Sequence, residues 1–296
     1  MKMNKTSNLL VIFIIILASI ASAYGFFSNN AINENQTIQT IHNETVRLYG
    51  KGLYHNESVS MAAQVRAQDV VTLVFAIPLL LVSLILNKRS LKGKLLLVGT
   101  LGYFLYTYMS YSFLAIYNNF FLIYVLLMSL SFFAFIINIT SQQLQNLEKC
   151  FSAAMPSKPV GIFIIVIGII ISLMWLGRIV PTIGNNTVNG LEHYTTFVIQ
   201  AMDLGIVLPV TVVSGVLLLR KKSLGYLLAP IIIIKGITLL LAIDVMAISM
   251  AISGVSVSPI ELILFPLFTV IFAVILWIIL KNFKSIDNTC TYKETI

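Results

Sequence analysis

The chain has 296 residues, of which 58% are hydrophobic and 10% charged, with a mean hydropathy of +0.95 and a formal net charge of +8. Soluble domains carry about 25% charged residues, so a soluble globular fold is excluded and the solvent of this chain is a lipid bilayer. The basic residues gather in short segments between apolar runs, as the positive-inside rule expects, and no nucleic-acid partner is expected.

A helix needs about 20 apolar residues to cross about 30 Å of hydrocarbon. Eight stretches meet that length, at about 9–27, 68–86, 95–117, 120–139, 159–179, 197–219, 224–251 and 260–280. They predict an all-α polytopic membrane bundle of about eight transmembrane helices. The first run ends in Ala21-Ser22-Ala23, which also fits signal-peptide cleavage. Its continuation through Tyr24, Phe26 and Phe27 favours a retained helix.

Residues 28–60 are polar and contain Asn-x-Ser/Thr sequons at Asn35, Asn43 and Asn56, usable only outside the cytoplasm. Within them Tyr49-Gly50-Lys51-Gly52-Leu53-Tyr54 reads as a tight surface loop whose two tyrosines anchor at the membrane interface. The second span is stopped by Lys88, Arg89, Lys92 and Lys94, a cytoplasmic turn. The third carries Tyr103, Tyr106, Tyr108, Tyr111 and Tyr117, and the last two read as belt anchors. Residues 141–158 form a polar cytoplasmic linker between two four-helix halves, 1–140 and 159–296, and 281–296 is a cytoplasmic tail. Eight spans place both termini in the cytoplasm of a cell-membrane protein. Cys150 and Cys290 then lie where thiols stay reduced and have no metal-ligand spacing, so neither a disulfide nor a zinc site is expected.

Two hairpins follow one plan. Pro78 and Pro209 each open Pro-x-x-x-Val-Ser, followed by a basic cluster, Ser-Leu, and a glycine, Gly93 or Gly225. Four spans separate them, so a duplication would give parallel repeats related by an axis along the membrane normal. Asp69 lies nine residues before Pro78 and Asp203 six before Pro209, which departs from a strict match. The stretches YGKGLY, AQD and GTLGYFLYTY in the first half resemble prokaryotic multi-pass membrane proteins. That resemblance implies topology and no chemistry.

Charged side chains inside a span cost at least about 2.5–3.5 kcal/mol each, so each needs a partner, water or a polar cavity. At about 1.5 Å per residue, Lys235 lies roughly 16 Å from the basic turn, and Asp203 on the preceding helix roughly 24 Å. A structural ion pair between them is one expectation; a solvated cavity binding an ion or small polar solute is the other. Asp69 has Arg66 at helical pairing distance. Gln68, Asp69 and Thr72 in the second span and Gln200 and Asp203 in the sixth converge on one outer vestibule, with Tyr103 and Tyr106 beside Lys235. Glu261 belongs to a capping box, Ser258-Pro259-Ile260-Glu261.

The candidate binding set is therefore Asp69, Tyr103, Tyr106, Gln200, Asp203 and Lys235. His42, His55 and His193 fall in outer loops, which excludes paired transmembrane haem ligands, and no hydrolase, metalloprotease or nucleotide motif occurs. No catalytic residue, metal or cofactor is expected. A transporter or binder of a small polar solute or ion fits best. The alternatives are a membrane enzyme with His55, Glu192 and His193 converging in a pocket, and a receptor or assembly subunit with every charge paired.

Overall fold

The computed structural model describes residues 5–32, 34–88, 90–140, 147–185 and 187–284. The first third of the expected linker, at 141–146, and the tail beyond 284 lie outside the described residues, as does Cys290. The protein is an all-α bundle of long helices with a two-stranded sheet. The helices are α1 (Lys5–Phe27), α2 (Val59–Val71) running on into α3 (Ile77–Leu86), α4 (Leu91–Phe113), α5 (Phe121–Thr140) and α6 (Ser157–Ile179). They continue with α7 (Val198–Met202) running on into α8 (Leu208–Leu219), then α9 (Ser223–Ile252) and α10 (Pro259–Lys281).

Among the described residues seven helical segments are long and apolar enough to cross a membrane, which makes this a multi-pass integral membrane protein. Helix α4 is not among them, because Lys92, Lys94 and its run of tyrosines lower its hydropathy. It is as long as α1 but sits inside the bundle, where Gly99 meets Ile234 of α9 and Gly102 meets Lys235. Small residues at this crossing let the two helix backbones approach, the usual basis of helix association in lipid. One apolar core joins α1 to α5 and the loop-side part of α9; a second joins the start of α4 to α6, α8, α9 and α10.

Helix α2 starts at Val59, earlier than the apolar run predicts, because Ser58 accepts a hydrogen bond from Met61 N and caps a polar first turn. Both α2–α3 and α7–α8 contain one π turn, at Thr72–Ala76 and Asp203–Val207. In each, the first residue after the turn bonds five residues back, Ile77 N–H to Thr72 O and Leu208 N–H to Asp203 O. The next residue is Pro78 or Pro209. Proline has no N–H, and its ring clashes with the carbonyl four residues back. One extra residue in the preceding turn relieves that clash without breaking the helix. Pro230, in contrast, sits inside an uninterrupted α9.

The two hairpins share a second device. A Cβ on Gly93 would strike the backbone of Leu86 and Asn87, and one on Gly225 the backbone of Leu217 and Leu218. Each glycine lets the second helix of its hairpin start against the end of the first.

Between α1 and α2 lies strand β1 (Thr37–Gln39), paired antiparallel with β2 (Thr45–Arg47). With residues 187–197 these strands form the loop face of the bundle. The turns at Asn87–Lys88 and Arg220–Lys222 lie on the opposite, turn face. There the Phe151 ring packs at a tilt against Phe283, centroids 4.2 Å apart, and against Tyr226, 4.9 Å apart, and Lys284 N donates to Cys150 O at 3.0 Å. Cys150 is disulfide-bonded, which corrects the expectation of a reduced thiol. Sequence distance is misleading here, because residues 147–152 fold back onto the end of α10.

Candidate polar site around Tyr106, Asp203 and Lys235

Helix α4 distributes its polar side chains over two faces. Tyr103, Thr107 and Tyr111 recur every four residues and face α2. Gln68 donates from Nε2 to Tyr103 Oη at 2.5 Å and to Thr107 Oγ1 at 3.1 Å, and Thr72 Oγ1 lies 2.9 Å from Tyr103 Oη. Tyr103 is buried, and its hydroxyl is satisfied by α2 alone.

Tyr106 faces the other way, toward the second half. Its hydroxyl donates to Asp203 Oδ1 at 2.8 Å, and its ring carries Lys235 Nζ 3.9 Å from the centroid. The indole of Trp175 on α6 donates to Asp203 Oδ2 at 2.8 Å. Three helical elements thus meet at one carboxylate, with Asp203 opening the π turn after α7, Trp175 coming from α6 and Tyr106 from α4, and Lys235 of α9 joins them through the Tyr106 ring. The wider turn supplies the place, since Asp203 O is spent on the five-residue bond while its side chain points inward and stays buried.

The expected ion pair does not form. Among the described residues the ion pair present is Lys51–Glu34 at 2.8 Å, on the loop face, where the Glu34 carboxylate raises the Lys51 amine above its ordinary range. Asp203 instead takes one neutral donor on each oxygen, and Lys235 rests on an aromatic face, a contact of about 0.5–2 kcal/mol. Gln200 is buried one turn before Asp203.

Asp69 belongs to a different cluster. It is buried on α2 and accepts from Tyr54 Oη at 2.7 Å, with Tyr111 Oη 3.2 Å away. Arg66 does not pair with it. Its guanidinium donates to Tyr49 Oη at 2.6 Å and Phe26 O at 3.2 Å and lies over both rings. The expected single vestibule is therefore split, with α4 between its parts. Tyr106, Asp203 and Lys235 meet on one side, while Tyr103, Gln68 and Thr72 on the other adjoin the cluster of Asp69, Tyr54 and Tyr111. Tyr54 and Tyr111 are buried hydrogen-bond donors, not the interface anchors expected of them, whereas Tyr117 is 74% exposed.

The loop face carries an open groove of about 550 Å³ lined by residues including Glu44, Arg47, Ser58, Gly190 and Glu192. His55 and His193 do not line it. His55 Nδ1 contacts Gly52 O at 3.0 Å and His193 Nε2 contacts Asn56 O at 3.1 Å, so each imidazole pins a loop. Burial holds His193 below the usual imidazole range. No cluster of metal-ligating side chains occurs among the described residues.

Trp175 was not legible as a site residue, although an indole N–H in an apolar helix needs an acceptor and Asp203 on the next span is one. Asp244 also finds a neutral donor, Thr269 Oγ1 at 2.8 Å. Ser258 caps α10 by accepting from Ile260 N at 3.3 Å. Comparisons with protein-family models, with curated proteins and with solved structures gave no match.

Proposed function

We propose that this integral membrane protein binds, and carries across the bilayer, a small polar solute with an anionic group, at a site built from Tyr106, Trp175, Asp203 and Lys235. The observation that carries the reading is a carboxylate and an ammonium brought to one tyrosine without being paired to each other. Each carboxylate oxygen already accepts from a neutral donor and the ammonium lies over the Tyr106 ring, so the ammonium keeps hydrogen-bonding capacity for a guest. In a low-dielectric site that capacity favours an anionic oxygen.

Two further features support transport. Both hairpins carry a π turn ahead of a proline, a local irregularity that concentrates at functional sites. In the two hairpins Thr72 and Asp203 hold the same place, six residues before the proline, and Tyr103 and Lys235 stand ten residues after Gly93 and Gly225. This supports two parallel four-helix repeats, the second carrying charge where the first carries hydroxyls, with the halves moving against each other at α4 and α9. Lys88, Lys92, Lys94, Arg220, Lys221 and Lys222 gather on the turn face, which supports that face and both termini lying in the cytoplasm, against the disulfide of Cys150 on the same face.

The test is a thermal-shift and calorimetric screen of the purified protein against inorganic phosphate and small mono- and dicarboxylates, followed by uptake in proteoliposomes. A hit lost in Lys235→Met and kept in Lys51→Met is the expected result. Binding that is unchanged in Lys235→Met overturns the assignment of this site.

A further inference from the structure

We propose that the β1–β2 hairpin is N-glycosylated, at Asn35 and Asn43, and that the sequon at Asn56 is not used. The proposal rests on the orientation given above, with the loop face outside the cytoplasm, and not on the solute site.

A sequon is a unit of two side chains, the asparagine carboxamide that receives the sugar and the hydroxyl two residues on. A transferase that reads both must reach both, so burial of either removes the acceptor.

The hairpin meets this need by construction. Ile41, His42 and Asn43 form its three-residue loop: Thr40 N donates to Glu44 O at 2.9 Å, Asn43 N donates to Thr40 O at 3.1 Å, and Asn43 closes the turn with φ +61°. Asparagine takes this left-handed backbone more readily than most residues. The residues on either side of Asn43 hold the loop down. The buried His42 ring contacts Tyr194 O through Nε2 at 3.0 Å and accepts from Val188 N at Nδ1, 3.3 Å, while the Glu44 carboxylate accepts from Gly190 N and Glu192 N. Anchoring through residues 42 and 44 leaves Asn43 and Thr45, the two members of the sequon, exposed. Asn35 also has positive φ, +64°, and both it and Thr37 at the start of β1 are exposed.

Asn56 fails the same test. Its hydroxyl partner Ser58 is 1% exposed and is spent on the cap of α2, accepting from Met61 N at 3.0 Å. Glu57 between them is buried, and the Asn56 carbonyl is held by the His193 ring. Asn138-Ile139-Thr140 repeats the pattern inside α5, where Asn138 is buried and donates to Ser7 Oγ at 2.6 Å and Ala134 O at 2.7 Å. The motif is present there without an available carboxamide.

The step is a glycosyl transfer from a polyprenyl diphosphate-linked oligosaccharide. Asn43 Nδ2 forms a bond to the anomeric carbon as the bond from that carbon to the diphosphate oxygen breaks; polyprenyl diphosphate leaves with the electron pair, and one amide proton passes to water. Glu44 and Thr45 also line the groove on the loop face, so a sugar on Asn43 stands at its rim. A bulky solvated chain there keeps macromolecules off the groove and leaves it open to small solutes.

Protein purified from its native membranes is digested and the peptides are read by mass spectrometry. A sugar mass is expected on Asn35 and Asn43, and the bare sequence mass at Asn56. Thr45→Val keeps Asn43 and removes only the hydroxyl; it should lose the Asn43 modification completely and retain that at Asn35, and it carries the test where Asn43→Gln does not accumulate. Labelling of Asn43→Cys in intact cells with a membrane-impermeant maleimide reads the orientation separately, since Cys150 is disulfide-bonded. A bare Asn35 or Asn43 in a protein that labels overturns the proposal and leaves the orientation standing; absence of labelling overturns both. A sugar on Asn56, or an Asn43 sugar that survives Thr45→Val, overturns the argument from burial. A failed solute screen at Asp203 bears on none of these results.

Discussion

Tyr194 donates its phenol proton to the Glu57 carboxyl at 2.5 Å, tying the segment 187–197 to the residue before the cap of α2. The other Glu57 oxygen accepts from Ile116 N at 2.8 Å, so one buried acid joins three parts of the loop face. Burial is the main cause that pushes Glu57 up to about 7, against the lowering effect of those two bonds. A folded-state value above the unfolded one means the native state holds the extra proton, so stability falls as pH rises from about 4.5 to about 7 and is level beyond. The full effect approaches about 3 kcal/mol at 1.36 kcal/mol per unit. Melting curves of the wild type and Glu57→Gln across that window are the check: the wild type loses stability through it, and the glutamine variant lacks that slope.

Gly25→Ala should be among the most disruptive single-methyl changes. The added Cβ overlaps Asp69 Oδ2 and Tyr54 Oη, both buried. Overpacking of this kind costs about 1–3 kcal/mol. Gly177→Ala on α6 meets nothing within 4 Å and should instead gain about 0.5–1 kcal/mol from reduced backbone freedom. Thermal unfolding in detergent compares the two; equal effects would contradict the packing described for α1.

How much of this was readable from residues alone follows from what each feature depends on. Apolar run length depends on the chain itself, and α5, the continuous α7–α8 segment, α9 and α10 start and stop within a few residues of the predicted spans. The start of α2 was missed because Met61 to Gln68 is too polar to register as a span, although Ser58 is an ordinary cap. Asp203 and Lys235 were legible because charge in an apolar helix is rare. Their relation was not, since nothing in two sequence positions shows that Tyr106 reaches the carboxylate first. Tyr54 lies in a segment with every property of a surface loop, and only the tertiary fold carries it to Asp69. The π turns had a local signal, proline within a span, but proline alone does not distinguish a kink from a widened turn.

A double-mutant cycle separates the contact that exists from the ion pair that does not. Tyr106→Phe leaves a buried carboxylate oxygen short of its donor, at about 1–3 kcal/mol. Combined with Asp203→Asn it should be strongly non-additive, as expected for groups in contact. The Lys235→Met and Asp203→Asn pair should show a smaller coupling energy than the Tyr106 pair. The reverse order in chemical or thermal unfolding would show that the two charges pair directly.

The hairpin glycines give a matched prediction. Gly93→Ala and Gly225→Ala each force a methyl into the backbone of the preceding helix, so both should destabilise, by about 1–3 kcal/mol or more. Differential scanning fluorimetry of both variants reads this. A neutral result at one site only would mean that the hairpins are built differently.

Helix α4 also sets a constraint on how the protein is made. Tyr103, Tyr106 and Tyr111 have their hydrogen-bond partners on α2 and at Asp203, and its glycines fit against α9. Lipid offers none of these partners, so a nascent α4 has no stable place in the membrane by itself. It can enter beside α3, across the short turn capped by Ser90, but its second face stays unsatisfied until α9 has been synthesised. The first half of this protein is therefore completed only after the second half has been made as far as α9.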